Sequence, residues 1–412
     1  MNLEPILLTG AVLAVLLWAV LAAYVVHIER RRTAARETVQ AILSSLESSE
    51  VQGASIPERV AAVTPLLERV SRDMILHTAA DAGTSRDSFD ALAKYLVDRW
   101  GIYILVREAS FHRQSRDIWR RTASLRILSR LGHPDVCELL ARAVDDRSSE
   151  VASVGLTLLG TSTDPRSTGI LIAALRGRRH PTSRIAVHLE HSPLRPADAY
   201  RPLLTDGDPI VRFWGAALLG AYSGLGWVES ALAPLVDDDD ARVRKAAIQS
   251  LGKVGDEIAA SAALRLLRDP APFVRAHAAR ALGGLERPED AQAVAELLGD
   301  PDWWVRTAAK QSLEAMGSEI WPVLMRCLDS ADEFMRNGAA EVFQNLGILD
   351  SLIVMEAASD DPSGAKIDLL SRIVSAGGLR LTDSLVERAG PAAAPRVRRL
   401  LATMGLEQAG AA

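Results

Sequence analysis

His188 and His191 stand three apart in VHLEHS, a spacing that turns both rings to one side of a helix and could begin a metal site. Such a site needs a third histidine or a carboxylate at matching spacing, and the surrounding sequence offers none. Asp237, Asp238, Asp239 and Asp240 form an acidic run. A calcium loop, however, spreads its oxygens over about twelve residues at set positions, so a solvated turn before ARVRK is the expected role. Cys137 and Cys327 fall on apolar helical stripes in GHPDVCELL and WPVLMRCLD, places suited to small buried hydrophobes. No glycine-rich phosphate loop, nucleophile elbow or zinc-protease motif occurs. The sequence therefore predicts no catalytic, cofactor-binding or metal residues, and a chain that is not an enzyme.

Arginine and aspartate recur instead. Val-Arg pairs end at Arg212, Arg244, Arg275 and Arg306, and Met-Arg at Arg336, with spacings of 32, 31, 31 and 30. Backwards the register meets Arg184, Ala152 and Arg121; forwards it meets Lys366 and Arg398. An aspartate four residues before the basic position recurs at Asp117, Asp208, Asp240, Asp302 and Asp332. Its carboxylate suits a helix amino end and shares a helical face with the arginine. Arg121, Arg184, Arg212, Arg244, Arg275, Arg306 and Arg336 are thus expected to form a structural ladder through stacked units. Glycines keep step: eight residues on at Gly160, Gly220, Gly252 and Gly283, and eleven on at Gly132, Gly255, Gly317, Gly347 and Gly377.

The repeat also sorts the aromatics. Trp119, Phe273, Trp304 and Phe334 share the slot two residues before the basic position and are read as core. Trp303 aligns with Pro209, Ala241, Pro272 and Glu333, which predicts exposure. Phe213 aligns with Lys245, Thr307 and Asn337, and Trp214 with small or polar residues. Phe213, Trp214 and Trp303 are the candidate partner contacts, since exposed aromatics on a rigid frame anchor protein interfaces. Filling a gap between units is the equal alternative for Trp214.

One period decodes as two helices. In DPAPFVRAHAARALGGLERPEDAQAVAELLGD, Asp269-Pro270 opens a helix and Phe273, Val274, Ala278 and Leu282 make its stripe. Gly283-Gly284 is read as the stop, and Ala293, Val294, Leu297 and Leu298 stripe the second helix. Neither helix pair can bury its apolar face alone, so neighbours must stack. The units DPAPFVRAHAARALGG and DDARVRKAAIQSLGKVGD resemble HEAT-like repeats of the phycobilisome-lyase type, whose consensus runs Asp-Pro…Val-Arg…Ala…Ala-Leu-Gly. The resemblance spans 117–405 and is strongest over 205–350. The signatures of ankyrin and tetratricopeptide repeats are absent. An all-α fold is expected: a right-handed α-solenoid of about nine HEAT-like helix pairs. As an alternative, the resemblance implies a bilin lyase-like or other enzymatic role, although no substrate residue can be carried over to this chain.

The amino end predicts what holds the array. Residues 6–26, ILLTGAVLAVLLWAVLAAYVV, carry no charge; as a helix they would extend about 32 Å against a hydrocarbon core of about 30 Å. A cleaved signal would have a basic n-region and a shorter apolar core, and MNLEP has no lysine or arginine. Arg30, Arg31, Arg32 and Arg36 follow the run and set the topology by the positive-inside rule. The expected layout is a short extracytoplasmic tail at 1–5, a transmembrane helix at 6–26, and a juxtamembrane stalk helix at 27–57. A helical cap follows at 58–116, then the solenoid at 117–405 and a disordered tail at 406–412. Ala35, Val39, Ile42 and Leu46 give the stalk one apolar face, enough for a homodimer contact if left free.

Composition agrees with this layout. The chain has 412 residues, 47 basic and 52 acidic, for a net charge of −5, which argues against a nucleic-acid binder. Two cysteines point to a reducing compartment. Only five basic residues are lysine, a bias that suggests a bacterial source. The expectation is a single-pass protein of the inner membrane, amino terminus out and bulk cytoplasmic. It would act as a scaffold for a protein partner, a membrane-embedded enzyme complex being the natural client.

Overall fold

The structure, a computed structural model, describes residues 33, 37–48, 54–81, 85–110, 118–194, 196–222, 224–255, 257–348, 351, 364–377, 386–387 and 390–403. Residues 6–26, with Arg30, Arg31, Arg32 and Arg36, lie outside them, as does the tail at 406–412. Among the described residues no helix is long and apolar enough to cross a membrane, and none of the secondary structure is strand. The chain divides into two units, Met1–Arg195 and Pro196–Ala412.

In the first unit a helix over 37–46 buries Ile42 and Leu46, each 2% exposed. Two of the four residues on the face expected to serve a homodimer contact are thus packed within the chain, while Val39 is half-buried and Ala35 lies outside the described residues. Next come α1 (Ile56–Leu67), α2 (Arg72–Ala80), α3 (Arg86–Trp100), α4 (Ile102–Ser110), α5 (Ile118–Arg130), α6 (Val136–Val144), α7 (Ser149–Gly160), α8 (Arg166–Gly177) and α9 (Thr182–Glu190). Serines punctuate the early helices because a hydroxyl satisfies free helix-start N–H groups. Ser71 accepts from the Met74 N–H at 3.4 Å and Ser85 from the Ser88 N–H at 3.3 Å. The expected cap and the first repeat helices belong to one unit, since α5 packs against both α2 and α4.

The second unit contains α10 (Ala197–Tyr200), α11 (Pro209–Leu219), α12 (Gly226–Leu232), α13 (Ala241–Val254), α14 (Glu257–Leu266), α15 (Pro272–Gly284), α16 (Ala291–Glu296), α17 (Trp303–Ala315), α18 (Trp321–Leu328), α19 (Glu333–Asn345), α20 (Gly364–Gly377) and α21 (Gly390–Thr403). Helices α11, α13, α15, α17 and α19 carry the repeat arginines, and each packs on the next. In α15 Val274, Ala278 and Leu282 are wholly buried, as are Val294 and Leu298 of the following helix and turn. Small residues there let the backbones approach closely.

Two glycine slots have separate causes. Eight residues past the arginine, Gly283 lies inside α15, and a Cβ there would stand 2.7 Å from Ser312 Cα. The sequence expectation that Gly283 stops the helix is thus corrected: it admits the next helix. The stop falls eleven residues past the arginine, where Gly132, Gly255, Gly317 and Gly347 have φ between 65° and 77°. Left-handed backbone of this kind ends a helix with little strain only for glycine.

Candidate functional site

Helix starts along the second unit are built from aspartates in two positions. Those four residues before the arginine are caps: Asp208, Asp240 and Asp302 accept N–H bonds from Ile210, Arg242 and Trp304 at 2.8 to 2.9 Å. Asp332 accepts from Phe334 at 2.8 Å. They do not pair with the ladder arginines, which corrects the reading from helical spacing. The arginine partners sit six residues before the next arginine. Arg212 binds Asp238 at 2.7 and 2.9 Å, Arg244 binds Asp269 at 2.7 and 2.9 Å, and Arg275 binds Asp300 at 2.8 and 2.9 Å. Each is a two-pronged guanidinium–carboxylate pair that ties one unit to the next.

The same arginines also reach back. Nη1 of Arg212, Arg244, Arg275, Arg306 and Arg336 donates to the carbonyl six residues earlier at 2.7 to 2.9 Å. The partner carboxylates in turn accept the N–H two residues ahead, as Asp238 does from Asp240 at 2.9 Å and Asp300 from Asp302 at 2.9 Å. Burial pushes the Asp238 carboxyl up, but hydrogen bonds from Arg212 and the Asp240 N–H, with the charge of Arg212, leave it below the usual range. Asp240 is lowered to about 2, chiefly by the Arg242 side chain. Three of the four aspartates at 237–240 are used in this way, with Asp237 paired to Arg265, while the Asp239 side chain is exposed and only its carbonyl accepts from Arg244.

In the first unit Arg121 is buried and pairs with Asp146. Arg184 departs from the expected ladder: it is exposed and makes no ion pair among the described residues. Its helix begins at Pro181 without a side-chain cap, and His180, in the aspartate slot, bonds instead to the Val144 carbonyl at 2.7 Å.

The aromatic slot is the main correction. Trp119, Phe273, Trp304 and Phe334 are exposed, by 75%, 44%, 55% and 55%. They occupy the first turn of their helices, one residue round from the valine or methionine position, so they project at the helix-start edge. Trp303 is exposed by 54% and stacks on Trp304 with ring centroids 4.0 Å apart. Phe334 lies under the Arg306 guanidinium at 4.3 Å. Phe273, Trp303, Trp304 and Phe334 thus make an aromatic rim along α15, α17 and α19. Phe213 and Trp214 are half-buried, edge to face at 4.9 Å. They sit on α11, three arginine helices before Trp303, a separation of about 25–30 Å at ordinary helix spacing. The structure does not bring them to the rim.

The remaining chemistry-bearing residues take structural places. His188 is half-buried against Gly160, where burial lowers its pKa, and His191 bonds to the Val187 carbonyl at 2.8 Å. No metal-holding cluster exists among the described residues. Cys137 and Cys327 are buried, and burial raises both thiols. In the first unit a cleft of about 580 Å³ is lined by α2, α5 and the start of α7, with Asp73, His77, Trp119, Arg120 and Glu150 among its residues. Arg120 spends both prongs on Asp73 at 2.9 Å, so no free catalytic acid or base is left there from that pair.

The family model for HEAT repeats matches residues 197–275, 228–314 and 261–344. Together these matches run over 197–344, within the second unit. Among solved structures, an engineered protein is similar at 18% identity and a TM-score of 0.35, over 89% of this chain and 99% of that one. Kap121p bound to Nup53p is similar at 13% identity and a TM-score of 0.45, over 90% of this chain. This chain spans about half, 49%, of the Kap121p chain. The complex of CpcE and CpcF of phycocyanin lyase from Nostoc sp. is similar at 21% identity and a TM-score of 0.32, over 51% of this chain and 94% of that one. No curated protein matches.

Proposed function

We propose that the chain is a non-enzymatic scaffold that binds a protein partner along the rim of Phe273, Trp303, Trp304 and Phe334. The observation that carries this reading is the exposure of these four large aromatics at one edge of consecutive repeats. Leaving such a side chain in water forgoes about 1.5–3 kcal/mol of burial, and rings anchored on packed helices cost little entropy to dock. Residues 6–26 would tether the scaffold to the inner membrane, with Arg30, Arg31, Arg32 and Arg36 on the cytoplasmic side. Confinement to the membrane plane raises the effective concentration of a membrane-bound client, so a membrane enzyme complex is the client class that fits best.

The test is co-purification from native membranes. The full chain should carry a stoichiometric protein partner in mild detergent. The Trp303→Ser, Trp304→Ser variant should fold with the same helix content and lose that partner. Equal recovery by both would overturn the reading.

A further inference from the structure

Among the described residues of the second unit, the rung that follows three filled ones, that of Arg306, stands open. Arg212, Arg244 and Arg275 each commit Nε and Nη2 to the aspartate six residues before the next arginine. For Arg306 that position is Ser330. The serine keeps the local half of the aspartate's work, its Oγ accepting the Asp332 N–H at 3.1 Å, but it brings no carboxylate. The adjacent Asp329 is turned to Arg372 at 2.6 and 2.7 Å. No carboxylate lies within ion-pair distance of Arg306 among the described residues. Yet its guanidinium is held as in the filled rungs: Nη1 donates to the Asp300 and Pro301 carbonyls at 2.8 and 3.0 Å, and one face lies on Phe334.

We propose that Arg306 receives an Asp or Glu side chain from an acidic segment of the partner protein, with Trp303, Trp304 and Phe334 packing on the apolar atoms beside it. This rests on the protein-binding reading above and names the chemistry at its centre. A fixed guanidinium fork pairs with a carboxylate in two parallel bonds, and little rotamer freedom remains to be lost. The capping acids Asp302 and Asp332 do not forbid it. In the filled rungs Asp238 sits beside Asp240 and Asp300 beside Asp302 in the same arrangement, and Asp238 stays ionised with a lowered pKa. Phe334 lies on the Arg306 guanidinium, and the stacked Trp303 and Trp304 precede Arg306 on its own helix, so the open rung meets the rim at α17.

The experiment uses the full chain against an immobilised array of 12-residue peptides, each with one central Glu among Pro, Leu, Gly and Ser, beside the same array with Gln. Glu peptides should bind about tenfold better than their Gln counterparts, the share of a charged hydrogen-bonded pair. Ser330→Asp supplies the missing carboxylate from within: it should raise the unfolding midpoint and cut Glu binding to the Gln level. Arg306→Lys, which keeps charge but not the fork, should also lose most of the preference. Equal binding of Glu and Gln peptides, no binding of either, or undiminished Glu binding by Ser330→Asp would overturn the proposal. So would concentration-dependent self-association that Ser330→Asp abolishes, since a second copy would then fill the rung. If Ser330→Asp leaves the co-purified partner in place, the rung fails while the scaffold reading stands.

Discussion

Arg244 illustrates what one side chain contributes to this molecule. It is mostly buried, its partner Asp269 more so, and the pair joins α13 to the turn before α15. Arg244→Ala leaves a buried carboxylate without its counter-charge, so unfolding free energy should fall by about 3 kcal/mol, read by chemical denaturation. Glu286 offers the reverse case. It occupies the slot held by left-handed glycines in other repeats, with φ of 52°, a conformation costly for a residue with a Cβ. Glu286→Gly should stabilise by about 1 kcal/mol, and a lower unfolding midpoint would contradict the strain. His277 gives the pH dependence. Burial, then Lys245 and Arg280, depress its pKa to about 4 from 6.5. Folding favours the neutral ring, so its contribution is complete above about 6.5 and drains away as pH falls towards 4. The midpoint should drop over that window, and His277→Gln should flatten the drop; an unchanged slope would exclude His277 as the source.

Helices are legible in the sequence to the extent that their residues repeat. The stripe of Val274, Ala278 and Leu282 announces α15, and the buried set agrees. Phe273 misleads because membership of a repeat slot implies burial, whereas its place in the first turn aims it outward. The pairing of Arg275 with Asp300 is hidden because it crosses between units, a distance in sequence that within-helix spacing does not report. The recurrence of aspartate six residues before Arg212, Arg244, Arg275 and Arg306, broken by Ser330 before Arg336, is nevertheless readable. Membrane-end features at 6–26 and Arg30 to Arg36 lie outside the described residues, so their expectation rests on hydropathy and charge alone. At this scale the glycine inside α15 makes a prediction. Gly283→Ala drives a methyl into Ser312 and should destabilise by about 1–3 kcal/mol, read by thermal or chemical unfolding. Gly284→Ala, which meets nothing within 4 Å, should be neutral or mildly stabilising in the same measurement.

At the scale of the molecule, repetition explains both rigidity and specificity. Each rung fastens one helix pair to the next, so local loss of a rung weakens an array rather than one contact. Against that regular background, departures mark places released from packing. Trp303, at the start of α17, and Ser330, in the turn before α19, are two such departures. The most direct measurement places a photo-crosslinking amino acid at position 304 and, as a control, at position 268, an exposed site on the turn after α14. In native membranes the position-304 chain should give one discrete cross-linked protein that position 268 does not give, and Ser330→Asp should diminish it. Identical products from both positions, or none from 304, would contradict a partner seated on the rim.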